Sequence, residues 1–214
     1  MLAFFKKQFP DAVPLMPTLL EDFFTNPTGH LVTIRCRPWH VGGRACLLGD
    51  AAHAIVPFFG QGMNCAFEDC TIFNDCLAES GEQPDWEQVF QEFEARRKAD
   101  ADAIADMALD NYFEMRDRVA DPKFGLKRDV EFALERHFPR RFIPRYSMVS
   151  FHRLPYAMAQ QRGRIQDEIL RELCGAIATV EELDWQRAEE LVTTKLSEFS
   201  SEPEIEPRDP PLPG

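Results

Sequence analysis

Residues 49–70 read Gly-Asp-Ala-Ala-His-Ala-Ile-Val-Pro-Phe-Phe-Gly-Gln-Gly-Met-Asn-Cys-Ala-Phe-Glu-Asp-Cys, and no other run constrains the fold as much. It follows a short apolar segment, Ala45-Cys46-Leu47-Leu48, and leads through an acidic turn and a Pro/Gly loop into a helix start. Such an apolar segment suits a central strand buried on both faces, usually a parallel one. Asp50 then falls at the carboxyl end of that strand, where α/β folds bind ligands. A carboxylate there can accept hydrogen bonds from a sugar or polyol; its alternative role is a helix N-cap, worth about 1 kcal/mol. In Pro57-Phe58-Phe59-Gly60-Gln61-Gly62 two glycines flank Gln61, so backbone can pass close to a flat ligand. The helix expected over 63–79 begins next. Its unpaired N–H groups and partial positive charge suit an anion, or a carbonyl that gains negative charge.

The flanking sequence is mostly helical in pattern. Leu2, Phe5 and Phe9, then Leu19, Leu20, Phe23 and Phe24, recur at helical spacing, punctuated by Pro10, Pro14 and Pro17. His30 to Trp39 alternates and predicts a strand with one buried face, and Val41-Gly42-Gly43-Arg44 reads as a turn. Asp85 to Val119 predicts a long helix, 121–126 a break, and Asp129 to His137 another helix. Residues 142–156 read as irregular or extended, and 157–178 and 181–199 as helical. The last 15 residues hold five prolines and four acids, which predicts disorder. One strand pair and one buried strand leave backbone groups without partners. A fragment of a longer protein is therefore expected.

Composition excludes some classes of function. A formal net charge of −12 is the wrong sign for a general nucleic-acid binder. The six cysteines form no Cys-x-x-Cys pair and none sits with a His at zinc-finger spacing, so no metal site is expected. They read as reduced thiols in a cytosolic compartment, with Cys65, Cys70 and Cys76 packing a helix. No apolar run reaches the roughly 18 residues of a membrane-spanning helix. His53 beside Asp50 invites a catalytic-dyad reading, but no Ser or Cys sits in a recognisable nucleophile elbow, so His53 reads as structural and no catalytic side chain is assigned. Asn111 lies four residues after Met107 and four before Met115, on an apolar face. A buried amide without partners costs roughly 1–3 kcal/mol, so Asn111 needs a partner, protein or ligand. Tyr146, on its own, suits core packing with one hydrogen bond.

The segment Gly49 to Cys70, with Gly-Asp followed by Pro-x-x-Gly-Gln-Gly-Met-Asn, resembles the second flavin-binding motif of the FAD-dependent aromatic hydroxylases, the group A flavoprotein monooxygenases. Within them the chain resembles the kynurenine 3-monooxygenase family. Phe9-Pro10-Asp11-Ala12, Asp102-Ala103-Ile104-Ala105-Asp106, Asn111-Tyr112-Phe113-Glu114-Met115-Arg116 and Phe142-Ile143-Pro144-Arg145-Tyr146-Ser147-Met148-Val149 carry that likeness in order, over about residues 5–165. The resemblance implies an α+β, mostly helical fragment. Residues 1–44 would end the substrate-domain sheet, and 45–82 would hold the last strand and helix of a Rossmann-like FAD-binding domain. A carboxyl-terminal helical region would follow over 83–199, with a disordered acidic tail over 200–214.

The resemblance also implies roles. Asp50 would bond the ribityl or ribose part of FAD, while Gly62, Met63 and Asn64 would lie at the flavin pyrimidine edge. Pro57, Phe58 and Gln61 would line the substrate ring, Asn111 would bind the amino-acid end of kynurenine, and Tyr146 would help close that pocket. NADPH and O2 would be co-substrates, with no nucleic acid and no transmembrane anchor in this chain, in a cytoplasmic protein. The Gly-x-Gly-x-x-Gly fingerprint for the FAD pyrophosphate is absent, as are the family's carboxylate-binding Arg and Tyr, so an amino-terminal half is expected to be required. A different ring substrate within the same superfamily, or a flavin-free remnant, are the alternatives.

Overall fold

The computed structural model describes residues 1–117, 122–175 and 177–199. The tail expected to be disordered lies outside them, as do residues 118–121 and 176 of the stretches discussed above. Two compact units emerge, Met1–Leu31 and the chain from Val32 on.

The first unit carries α1 (Leu2–Gln8), a 3-10 turn (Val13–Leu15) and α2 (Leu19–Thr25). Lys6 and Lys7 close α1, and Glu21 and Asp22 open α2, each with the sign the helix dipole favours. None of its residues is buried, and Phe4, Phe9, Leu15, Phe23 and Phe24 are exposed.

The second unit begins with an extended segment that is not the strand expected over 30–39. Its Ile34 and Cys36 N–H groups donate to the Ala54 and Ala52 carbonyls, at 2.8 and 3.3 Å, rather than to a strand. The sheet among the described residues is one antiparallel pair, β1 (His40–Val41) with β2 (Ala45–Cys46), in register His40 to Cys46 and Val41 to Ala45. Gly42, at φ +52°, permits the tight connection. The parallel central strand expected at Ala45–Leu48 is therefore absent. A doubly buried strand needs a neighbour on each side, and this one has a single two-residue partner. Leu47 and Leu48 are accordingly 38% and 37% exposed. The α+β, mostly helical class holds, with a smaller sheet than the pattern implied.

Helices follow. A single turn, α3 (Asp50–His53), leads to a 3-10 turn (Pro57–Phe59) and α4 (Gly62–Glu79). In α4, Cys65 and Cys76 are buried as expected, but Cys70 points to solvent. α5 (Trp86–Asp117) starts where Asp85 Oδ1 accepts from the Glu87 and Gln88 N–H groups, a helix cap. Its stripe of Val89, Phe93, Ile104 and Met107 is buried in the core that also holds Trp39, which packs on Phe93, and each fully buried side chain of this size contributes roughly 1.5–3 kcal/mol.

α6 (Pro122–His137) occupies most of the expected break, and α7 (Arg145–Phe151) occupies part of the stretch read as irregular. The reason is proline position. Pro122 is the first residue of α6, while Pro144 and Pro155 are the N-caps of α7 and α8 (Tyr156–Cys174), places where a missing N–H costs nothing. α9 (Trp185–Lys195) is capped by Asp184, which accepts from the Arg187 N–H at 3.0 Å. α6, α8 and α9 share a second core of Val130, Leu134, Ile169, Leu170, Leu191 and Val192.

Candidate functional site

Gly49 is where the site is anchored. Its φ of +57° and the Ala66 Cβ, 3.2 Å from where a Gly49 Cβ would stand, both demand glycine. Its N–H donates to Asp69 Oδ2 at 3.0 Å. Asp69 is fully buried and also meets His53 Nε2 at 2.5 Å and Arg97 Nε at 2.8 Å. Arg97, 3% exposed, donates further to the Cys65 carbonyl at 3.2 Å and pairs with Glu68 at 3.0 Å. Burial alone would raise the Asp69 carboxyl, yet hydrogen bonds and charge from His53 and Arg97 hold it below the usual carboxylate range. Burial pushes the Cys65 thiol up to about 12, so it carries no thiolate at neutral pH. His53 is thus a structural residue. Reading the sequence missed Asp69 and Arg97, although each is a charged residue on an otherwise buried stripe. His53, Cys65 and Asp69 lie close enough together to hold a cation, but the Arg97 guanidinium already supplies the positive charge there.

This buried network fixes what it does not itself expose. Asp50, next to Gly49, points its carboxylate to solvent as the first residue of α3, whose N-cap is Gly49. It is not the helix cap that the alternative reading offered. Ten residues on, Gly60 takes the left-handed conformation, φ +72°. Gln61 follows as the N-cap of α4 without a side-chain cap. Its Oε1 accepts instead from Asn64 Nδ2 at 2.8 Å and from the Tyr156 hydroxyl at 3.3 Å, so Gln61 is buried and engaged with protein. The N–H groups of Gly62, Met63 and Asn64 open the helix with no acceptor among the described residues, and Met63 and Asn64 are exposed. A Cβ at Gly62 would meet only Ile55, at an ordinary 3.6 Å, so nothing in the chain itself requires glycine there.

Asn111 and Tyr146 meet at one cleft of about 300 Å³, lying where α5, α6, α7 and α8 converge between the two cores. Asn111 Nδ2 donates to the Phe58 carbonyl at 2.5 Å, and its Oδ1 has no partner among the described residues. Phe58 in turn packs on Tyr112, with ring centroids 4.6 Å apart. Tyr146 is 57% exposed and stacks on the buried Phe59 at 5.6 Å, so it is a wall of the cleft, not a core residue. Pro57, Phe58 and Gln61 are not among the cleft's lining residues; Phe59 is. The lining charges are three carboxylates, Glu114, Glu131 and Asp167, and three cations, Lys127, Arg128 and Arg145. Lys127 and Arg145 converge on Asp167, at 2.7 and 3.7 Å. Arg145 lies over α8 at Gly163, where a Cβ would stand 2.6 Å from its Cδ. Burial raises the Glu131 carboxyl to about 7, with Lys127 and Arg145 opposing and Asp167 and Glu114 adding. Glu131 and Gln166 had no signal in the sequence, being a charged and a polar residue on ordinary amphipathic helices.

Residues 17–108 match the FAD binding domain family. The chain is 52% identical over 200 residues to the kynurenine 3-monooxygenase of Myxococcus xanthus (strain DK1622), which covers 94% of this chain. It is 50% identical over 195 residues to that of Xanthomonas campestris pv. campestris (strain B100), and 46% over 190 residues to that of Legionella pneumophila (strain Corby). The chain belongs to the kynurenine 3-monooxygenase family of flavoproteins. It spans 42% of the length of each of these relatives. Among the described residues no helix is long and apolar enough to cross a membrane.

Proposed function

We propose that this chain holds the flavin-edge and substrate-cleft portion of an enzyme that hydroxylates L-kynurenine to 3-hydroxykynurenine, using FAD, NADPH and O2. The observation that carries the reading is the convergence of Asn111 and Tyr146 on one cleft beside the Pro57–Phe59 turn, directly upstream of the open α4 N-terminus. The exposed helix start fits a flavin. Three N–H donors without partners suit a carbonyl edge that gains negative charge, and Gly62 leaves room the chain does not otherwise need. Asp50, solvent-facing at the Gly49 turn, would hold the ribityl or ribose hydroxyls. The Rossmann-like sheet that would flank β2 and the pyrophosphate site would come from residues beyond those in this chain.

Bound FAD supplies the oxygen-transfer chemistry, with NADPH as the electron source. The protein's own contributions are binding and exclusion. Asn111, held by the Phe58 carbonyl, presents Oδ1 to the amino-acid end of the substrate. Tyr146 and Phe59 form an aromatic wall, while Phe58, outside the lining, holds Asn111 through its carbonyl and packs on Tyr112. Equal numbers of lining carboxylates and cations suit a zwitterion better than a simple aromatic acid. The test is substrate-stimulated NADPH oxidation by a protein of the relatives' full length that contains this chain, screened against kynurenine and hydroxybenzoates. Stimulation by kynurenine with 3-hydroxykynurenine as product is expected; stimulation by a hydroxybenzoate alone would move the assignment to another aromatic hydroxylase.

A further inference from the structure

The kynurenine reading assigns Asn111 and Tyr146, and leaves a second group of cleft residues unused. Gln166 is 1% exposed and lines the cleft from α8. Its Nε2 donates to the Ile143 carbonyl at 2.7 Å, while its Oε1 is buried without a hydrogen-bond partner. A buried carbonyl oxygen with no donor costs roughly 1–3 kcal/mol, so a donor arriving in the cleft would recover it. Glu131 lines the same cleft from α6, largely buried, with no hydrogen bond or ion pair of its own among the described residues. Its charged neighbours are accounted for. Lys127 on α6 and Arg145 on α7 are drawn to Asp167 on α8, the Arg128 guanidinium on α6 lies over the Phe132 ring at 5.6 Å, and Glu114 on α5 is a like charge.

Three acceptors therefore line one cleft without donors: Asn111 Oδ1, Gln166 Oε1 and the Glu131 carboxylate. A primary ammonium offers three N–H donors and one positive charge, and so matches this set in number and in sign. A carboxylate would not, because it brings no donor.

We propose that Glu131 and Gln166 form the subsite that recognises the α-ammonium group of the amino-acid substrate and give the enzyme its preference for amino acids over simple keto or carboxylic acids. This rests on the kynurenine reading and names which end of that substrate enters the α6–α8 side of the cleft. Ionised Glu131 is the competent form. Its carboxyl is raised by burial, with Asp167 and Glu114 adding to the shift and Lys127 and Arg145 opposing it, so affinity for an ammonium ligand should rise with pH as Glu131 ionises.

The experiment measures dissociation constants by calorimetry on the full-length holoenzyme, for kynurenine and for its desamino analogue, which keeps the aryl ketone, aryl amine and carboxylate. The wild type should bind kynurenine about tenfold to a hundredfold more tightly than the analogue. Glu131→Gln should remove most of that difference by weakening kynurenine alone, and Gln166→Leu should do so in part. Glu131→Asp, a milder change, should keep a reduced preference and guards against a folding defect in the first variant. Equal affinity of the wild type for both ligands would overturn the proposal, and so would equal weakening of both by Glu131→Gln. Asn111→Ala separates the two readings. If it weakens kynurenine while Glu131→Gln does not, the ammonium subsite alone fails; if kynurenine does not bind at all, the kynurenine reading fails with it.

Discussion

Asp69 binds more partners than any group the sequence advertised. It joins the Gly49 turn, His53 on α3 and Arg97 on α5, and all these contacts are buried. Removing its charge leaves the Arg97 guanidinium buried with only Glu68 and Asp100 to oppose it. Asp69→Asn should therefore cost about 3–5 kcal/mol of unfolding free energy, read by urea denaturation at pH 7. The sign with pH follows from the depressed folded-state pKa. The stabilisation is complete above the ordinary carboxylate value and is lost as pH falls through the lower folded value. The gap between wild type and Asp69→Asn should begin to narrow below about pH 4 and close only below the folded value. Glu131 behaves oppositely. Its folded pKa of about 7 lies above the unfolded one, so its contribution is complete at low pH and is lost as pH rises toward 7. Glu131→Gln should stabilise the chain by about 1–3 kcal/mol at pH 8 and by little at pH 4.

At the scale of elements, periodicity recovered the helices whose cores are aliphatic and aromatic. α4 and α5 begin within one residue of the sequence reading, because the Gly/Gln turn and Asp85 mark their starts. The first turns of α6 were read as a break and α7 as irregular because Pro122 and Pro144 look like interruptions, whereas each stands at a helix start; the rest of α6, from Asp129 to His137, was read as helix. The strand at Ala45–Leu48 was misread because a short apolar run carries no information about whether neighbours exist to pair with it. The loop glycines were better signals. Gly49 and Gly60 are required by backbone conformation, whereas Gly62 is not. Gly62→Ala should leave the chain's unfolding free energy unchanged, or raise it by about 0.4–1 kcal/mol, since alanine reduces the freedom of the unfolded chain. The same change should weaken FAD binding in the full-length protein. Loss of stability on Gly62→Ala would mean that the glycine serves the fold and not a ligand.

For the whole molecule, under the proposed function, this chain contains only part of a flavin site. The Gly-x-Gly-x-x-Gly phosphate loop that the dinucleotide grip depends on is not in the sequence. Purified alone, the 214-residue chain should show no stoichiometric flavin absorption in the visible range. A stable flavin band at one equivalent would mean that the α4 start and the Gly49 turn suffice. Asn111 shows how far sequence alone reached. Its place on an apolar face demanded a partner, and the structure supplies one for its nitrogen, the Phe58 carbonyl, while leaving the oxygen to the cleft. Which residues stand across that cleft depends on the packing of α6 and α8 against α5, and no local pattern encodes that. The most direct measurement is the kynurenine KM of the full-length enzyme before and after Asn111→Ala. A rise of about tenfold or more in KM, with kcat little changed, is the expected result. An unchanged KM would contradict the assignment of this cleft to the substrate.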